Sequence, residues 1–166
     1  DKGAEGSYRF LNKVINLKER VKNVSNKKDK HVESKINGLI IEVEKNIENF
    51  DYNIAIIKIM EFVNYLNKNR ESISKKVYDN SFEKLLLVLS IFAPHLCEEL
   101  YKEKNKGFIS LAKWPICDRK KINYDLEYED EFLSNVVKDI VAVLKLVKIE
   151  NPKKITPSGL NIGIKN

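Results

Sequence analysis

The chain has 166 residues, of which 43% are hydrophobic and 33% charged, and it contains six Gly and four Pro. This length corresponds to one domain that can bury a real core, and the hydrophobic fraction is too high for an intrinsically disordered protein. No run of about 18 apolar residues is present, so no membrane-spanning helix is expected. The scarcity of Gly and Pro argues against a turn-rich fold and favours helices.

Cysteine usage and charge distribution narrow the possible classes of protein. The two cysteines, Cys97 and Cys117, lie far apart, so we expect neither a disulfide framework nor a thiolate zinc site, and a reducing cytoplasm is the default compartment. The chain begins at Asp1 without a leader, which we interpret as a piece cut from a longer protein. Its net charge of +6 is concentrated in residues 13–30 and after residue 140, whereas residues 123–135 are acidic. Basic patches favour a polyanionic partner, although a solvated lysine-rich surface is the alternative.

Apolar residues at helical spacing predict six helices in chain order. We expect them over residues 5–21, 30–49, 53–67, 72–92, 94–104 and 128–149. The third is apolar on much of its circumference and should lie centrally in a bundle; Asp51 and Asn53 are its candidate caps. Pro94 cannot continue the fourth helix but suits the first position of the fifth. Residues 108–114 should be extended, and residues 160–164 are a candidate strand.

These elements predict an all-α fold, an antiparallel helical bundle with a short extended C-terminal tail. We assign residues 1–122 to the bundle and residues 123–150 to an acidic-to-basic helix that packs on it. Residues 151–166 form a tail, the start of a truncated C-terminal region. The acidic first turn and basic last turn of the last helix suit its dipole. Its apolar stripe, which includes Phe132, Val136 and Ile140, predicts packing on the bundle.

The chain lacks the residue patterns of catalytic and metal sites. His31 and His95 are too far apart in sequence to form a HExxH-type pair, and the glycine-rich phosphate loops and the GxSxG elbow are missing. Glu98 and Glu99 are adjacent on a predicted helix, so their side chains diverge and are expected on a solvated face. Cys97 is interpreted as a small core residue.

One face of the first helix carries cationic and amide side chains, separate from its apolar stripe. Lysine and arginine neutralise phosphates, and asparagine can bond to sugars or base edges, although an ordinary exposed helix face is the alternative. The basic loop that follows would extend the same positive surface. The candidate nucleic-acid-binding residues are therefore Arg9, Asn12, Lys13, Asn16, Arg20, Lys22, Lys27 and Lys28.

Three segments match a known family in order and spacing. They are residues 3–14 (GAEGSYRFLNKV), 50–64 (FDYNIAI, then IMEFVN) and 92–115 (FAPHLCEELY, then GFISLAKWP). Together they resemble the helical anticodon-binding domain of leucyl-tRNA synthetases over about residues 1–115. The third segment is shared with isoleucine and valine enzymes, whereas the first favours leucine and is most similar to bacterial forms. Residues 129–140 and 148–154 are instead similar to the archaeal form.

This resemblance implies a parent enzyme that joins leucine to tRNA(Leu) with ATP and Mg. The domain would hold the tRNA body, and leucyl enzymes generally do not read the anticodon, so no anticodon-reading residue is assigned. The ATP-binding motifs would lie upstream, and we interpret the faint likeness of Ser72–Lys76 to the Lys-Met-Ser-Lys-Ser loop as coincidence. The fragment would then have no catalytic, cofactor-binding or metal-binding residue.

The implied partners are tRNA(Leu) and an upstream catalytic domain of the same polypeptide. The parent would be a cytoplasmic monomer that does not interact with a membrane. Two alternatives stay open. One is the same domain of an isoleucyl- or valyl-tRNA synthetase, and the other is a basic helical protein-interaction module.

Overall fold

Six α-helices account for most of the described chain. The computed structural model describes residues 2–19, 25–103 and 107–146. No strand occurs in these residues, so the all-α class is confirmed, and the candidate strand at residues 160–164 lies outside them. The helices are α1 (Lys2–Asn16), α2 (Asp29–Glu48), α3 (Tyr52–Asn69), α4 (Lys75–Leu89), α5 (Pro94–Lys102) and α6 (Tyr124–Leu146).

The core lies where α2 packs against α3 and α4. Helix α1 packs on α3, and α5 packs on α4. Fully buried aliphatic side chains such as Ile40, Ile59 and Leu85 fill the centre. The central helix is therefore α2, and the expectation that α3 is central was wrong. Helix α3 leaves Ile54 and Ile57 exposed, because an apolar circumference does not determine how many neighbours cover a helix.

The α2–α3 corner (residues 49–51) is closed by backbone hydrogen bonds alone. The Phe50 amide donates to the Ile47 carbonyl at 3.0 Å, and the Asp51 amide donates to the Asn46 carbonyl at 2.7 Å. These two bonds form a Schellman motif, whose left-handed position usually holds glycine. Here that position is Phe50, with φ of 62°. The expected side-chain cap from Asp51 is not formed, and the Asp51 backbone, with ψ of 54°, departs from the extended conformation typical of a capping residue.

The α3–α4 corner (residues 70–74) bonds instead to a distant part of the chain. The Ser25 amide donates to the Glu71 carbonyl at 2.9 Å, and the Lys28 amide donates to the Ser72 carbonyl at 2.8 Å. The Asp29 carboxylate accepts from the Ser74 amide at 2.7 Å and from the Ser74 hydroxyl at 2.6 Å. This corner therefore fixes the segment that leads into α2.

The segment after α5 differs from the extended structure predicted for residues 108–114. Residues Ile109–Leu111 form a short 3-10 helix between extended Phe108 and Ala112. The Glu98 carboxylate accepts a hydrogen bond from the Ile109 amide at 3.1 Å. Glu98 is therefore not on a purely solvated face as predicted, whereas Glu99 is exposed and lies 3.8 Å from the Lys102 ammonium. Trp114 is partly buried and packs against the core.

Buried polar side chains of α2 hold residues 115–123. The Asn37 side chain accepts from the Asp118 amide at 2.8 Å, and the Ser34 hydroxyl accepts from the Asn123 amide at 2.8 Å. Both side chains are buried, so these bonds satisfy groups that would otherwise be costly to desolvate. They set the path of the chain into α6.

The chain divides into two compact units, Asp1–Glu127 and Tyr128–Asn166. Helix α6 begins at Tyr124, before the predicted start at residue 128, and its first turn is acidic, with Asp125 and Glu127. The predicted boundaries after residues 122 and 150, and the packing of α6 on the bundle, stay predictions.

Candidate nucleic-acid interface

The cationic face of α1 is present as predicted. Arg9, Lys13 and Asn16 are exposed, and Asn12 is partly exposed. Val14 and Leu17, on the other side of this segment, are completely buried. The burial of that apolar stripe fixes the rotation of α1, so its basic residues must point outward.

The charge of Lys13 is not neutralised by its protein contact. Its ammonium donates to the side-chain oxygen of Asn64 on α3 at 3.0 Å. That acceptor is a neutral amide, so Lys13 is positioned across two helices and keeps its positive charge available to a phosphate. Arg9 differs, because its guanidinium lies 3.9 Å from the Glu5 carboxylate with both side chains about two-thirds exposed. An exposed pair at this distance contributes little and exchanges readily for another anion.

The two asparagine side chains of the cationic face of α1 differ in their hydrogen bonds. The Asn12 amide nitrogen donates to the Tyr8 carbonyl one turn earlier at 3.0 Å, which leaves its amide oxygen as the group facing a ligand. Asn16 is the last residue of α1, and its backbone carbonyl accepts from the Arg70 guanidinium at 3.0 Å. Asn16 is therefore held through its backbone, and its exposed side chain is not used for that contact.

Two residues of distant segments hold the C-terminal end of α1. The Arg70 guanidinium also donates to the Glu19 carbonyl, and the Tyr78 hydroxyl donates to the Leu17 carbonyl at 2.6 Å. Burial raises the pKa of Tyr78 to about 12, against the opposing effect of the Arg70 charge. Tyr78 therefore stays a neutral donor at physiological pH, and the cation of Arg70 suits the negative end of the α1 dipole.

The remaining predicted residues divide into two groups. Arg20 and Lys22 lie outside the described residues. Lys27 is exposed and Lys28 is partly buried at the start of α2. The Lys28 backbone is bonded to the α3–α4 corner, and Arg70 of the same corner holds the end of α1. The α3–α4 corner therefore connects the cationic face of α1 to residues 27–28.

Sequence reasoning missed the residues that position this surface. Arg70 and Tyr78 act on carbonyl groups more than fifty residues away in sequence. No local pattern marks such contacts, because the sequence around an arginine or tyrosine does not show whether its side chain bonds to a distant carbonyl. The contact of the Asp29 carboxylate with Ser74 is likewise marked by no local pattern.

Metal-ligating side chains do not cluster within residues 2–19, 25–103 and 107–146. No group of three or more His, Cys, Asp or Glu residues is arranged there to hold a metal ion. Cys97 is fully buried, as expected of a core residue, and burial raises the pKa of its thiol to about 12. A thiol of that pKa is a poor nucleophile at neutral pH. None of the described helices has the length and apolar character needed to cross a bilayer.

Comparison with protein families identifies the family of this chain. A family model described as the anticodon-binding domain of tRNA ligase matches residues 29–158. The chain belongs to this family. The resemblance derived from the three sequence segments is therefore confirmed.

Curated leucine–tRNA ligases are similar to this anticodon-binding domain over most of its length. The enzyme of Petrotoga mobilis (strain DSM 10674 / SJ95) is 33% identical over 141 residues, which cover 74% of this chain and 17% of that protein. The enzyme of Borreliella afzelii (strain PKo) is 32% identical over 156 residues, which cover 93% of this chain and 18% of that protein. The enzyme of Methanocaldococcus jannaschii is 30% identical over 130 residues, which cover 76% of this chain and 14% of that protein. The chain thus spans less than a fifth of these relatives, and both bacterial and archaeal enzymes match.

A solved structure has the same fold as this anticodon-binding domain. It is a LeuRS (agnB2) of Agrobacterium radiobacter K84, crystallised in a ternary complex with tRNA and LeuAMS. The alignment has a TM-score of 0.63 at 22% identity, and it covers 73% of this chain and 18% of that one. At this identity the likeness establishes the helical bundle.

Proposed function

We propose that this chain is the tRNA-binding domain of a leucine–tRNA ligase, where it holds the body of tRNA(Leu). In this proposal an upstream catalytic domain of the same polypeptide joins leucine to the tRNA with ATP and Mg, and the parent is a monomeric cytoplasmic enzyme. The fragment alone performs no chemistry. Support comes from similarity to leucine–tRNA ligases and from the match to the anticodon-binding domain of tRNA ligase.

The observation that carries the binding role is the state of Lys13. Its ammonium is oriented by Asn64, a neutral partner, in the middle of a face that also carries Arg9 and Asn16. An oriented cation without a neutralising carboxylate suits a phosphate contact, because phosphate binding then costs no competing ion pair. The amide groups of Asn12 and Asn16 add hydrogen-bonding capacity for sugar or base edges.

The proposal is tested by titrating the 166-residue chain with fluorescently labelled tRNA(Leu) and measuring anisotropy at several salt concentrations. We expect affinity to fall steeply with salt, because each phosphate contact releases counterions. Lys13→Ala should weaken binding several-fold and reduce the slope of log K against log salt by roughly 0.7–0.9, one phosphate contact. Unlabelled isoleucine and valine tRNAs should compete less well than tRNA(Leu).

The matched control is Lys45→Ala, which removes the same charge from an exposed position. Lys45 lies in the last turn of α2, next to the α2–α3 corner, whereas Lys13 contacts α3 near its other end. Equal losses from the two variants would contradict the assignment of Lys13. Binding that is indifferent to salt would contradict the tRNA-binding role and favour a protein-interaction module.

A further inference from the structure

Five lysines from two distant segments come together at the α3–α4 corner. Lys27, Lys28 and Lys30 lie at the start of α2, and Lys75 and Lys76 form the first turn of α4. The two segments are joined by the bond from the Lys28 amide to the Ser72 carbonyl, at 2.8 Å. They are joined again by the two bonds of Asp29 to Ser74, at 2.7 and 2.6 Å. Residues 28–29 are therefore bonded directly to residues 72–74, immediately before Lys75.

Four of the five lysines in this cluster are open to solvent. Lys27, Lys30, Lys75 and Lys76 are all exposed. Within the parts of the chain that the structure describes, none of these four side chains forms an ion pair. Both carboxylate oxygens of Asp29 are bonded to Ser74. The five lysines and Arg70 outnumber the three acids of the corner, Asp29, Glu71 and Asp79, so its surface is positive.

The position of Lys75 and Lys76 is unfavourable for helix stability. The first turn of a helix is the positive end of its dipole, where acidic side chains are stabilising and basic ones are not. Helix α4 has no acidic residue in its first turn. Departures from such local rules occur where a residue serves function rather than stability. The cost disappears when an anion binds, because lysine charges and helix dipole then attract the same ligand.

The lysine cluster is continuous with the candidate interface on α1. Arg70, which begins the α3–α4 corner, donates to the Asn16 carbonyl at the end of α1. The positive surface therefore extends from the cationic face of α1, across the α3–α4 corner, to the start of α4. Lysine is a flexible point charge that suits phosphate groups and does not read bases. The partner that fits an extended lysine surface of this kind is a nucleic-acid backbone.

We infer that Lys75 and Lys76, with Lys27, Lys28 and Lys30, form a second phosphate-binding surface that contacts the RNA backbone independently of base sequence. This inference rests on the proposed tRNA-binding function and extends its contact surface to the start of α4. It also gives Ser72–Lys76 a role unrelated to the ATP-binding loop that the segment faintly resembles.

The test compares two double variants of the 166-residue chain in the same tRNA(Leu) anisotropy assay. Lys75→Ala with Lys76→Ala should weaken binding at least several-fold and reduce the salt slope by roughly 1.4–1.8, two phosphate contacts. The control, Lys45→Ala with Lys113→Ala, removes equal charge from exposed positions outside the corner. It should leave the slope nearly unchanged. Lys75→Arg with Lys76→Arg should retain most of the affinity, since it keeps both charges.

Folding is checked for each variant by the thermal unfolding curve measured by circular dichroism. If the double alanine variant does not fold, Lys75→Gln with Lys76→Gln replaces it, because glutamine has a helix propensity similar to that of lysine but carries no charge. Equal losses in the lysine-cluster variant and the control would overturn this inference while leaving tRNA binding intact. Wild-type binding that does not depend on salt would overturn the proposed function itself. Tighter binding to vesicles of anionic lipid than to tRNA would show that the partner is a lipid surface and not RNA, and it would also overturn the inference.

Discussion

At the start of α3, the α2–α3 corner is closed by backbone bonds that span at most five residues of sequence. At the end of α3, the α3–α4 corner bonds to residues 25–29, more than forty residues away. The first corner exposes Phe50 and Tyr52 beside Asp51, and the second exposes lysines. The comparison shows that one corner only reverses the chain, whereas the other also fixes a basic segment on the bundle.

The largest expected difference between the corners is in the contribution of their aspartates to stability. Asp29→Ala removes a charged acceptor of two short hydrogen bonds from Ser74. Hydrogen bonds to charged groups contribute about 1.5–3 kcal/mol, so we expect the free energy of unfolding to fall by roughly 2–3 kcal/mol. Urea denaturation of the 166-residue chain, followed by circular dichroism, measures this change.

Asp51→Ala is the matched control at the other corner. Asp51 occupies the N-cap position of α3, but its side chain forms no capping bond. We expect its replacement to change stability by less than about 1 kcal/mol, from the helix dipole alone. Similar losses from the two variants would remove the distinction between a local and a long-range corner.

A smaller effect is expected at Tyr78, which holds the end of α1 against α4. Tyr78→Phe removes the bond to the Leu17 carbonyl and should cost about 1 kcal/mol at neutral pH. Because the pKa of Tyr78 is raised to about 12 from 10.0, the native state favours the neutral phenol. The stability that Tyr78 provides is therefore fully present below pH 10 and lost as the pH rises toward 12.

Urea denaturation of both proteins between pH 8 and pH 12 checks this pH dependence. The two proteins differ only at residue 78, so the difference between the two curves reports Tyr78. We expect that difference to narrow above pH 10. A constant difference over the whole range would show that the Tyr78 hydroxyl is as solvated in the native state as in the unfolded state.

Much of the fold was predictable from periodicity because helices are local structures. The helical spacing of Val14 and Leu17 predicts one apolar face, and Pro94 predicts the start of α5. Val14 and Leu17 are buried, and α5 begins at Pro94. The central position of α3 was predicted wrongly, since burial depends on neighbours that periodicity does not identify. The extended segment at residues 108–114 was predicted only in part, because Phe108 and Ala112 are extended but residues Ile109–Leu111 form a 3-10 helix.

The candidate interface was predictable only in part, for the same reason. The outward face of α1 follows from its buried face, so Lys13 was found from spacing alone. Its contact with Asn64 and the bond between Asp29 and Ser74 depend on tertiary pairing across 51 and 45 residues of sequence, respectively. Such pairings are set by how whole helices pack, and no single stretch of sequence encodes them.

The smallest expected effect, of opposite sign, is at Phe50 in the α2–α3 corner. Its left-handed backbone costs an ordinary residue about 1–2 kcal/mol, which glycine avoids while losing about 0.5–1 kcal/mol more backbone entropy on folding. Phe50→Gly should therefore stabilise the chain by roughly 0.5 kcal/mol in urea denaturation. Phe50→Ala also removes the ring, which is 78% exposed and 6.2 Å from the ring of Tyr52, but keeps the β-carbon and should give no gain. If both variants are destabilised equally, the aromatic contact outweighs the backbone strain, and this corner is held by side chains after all.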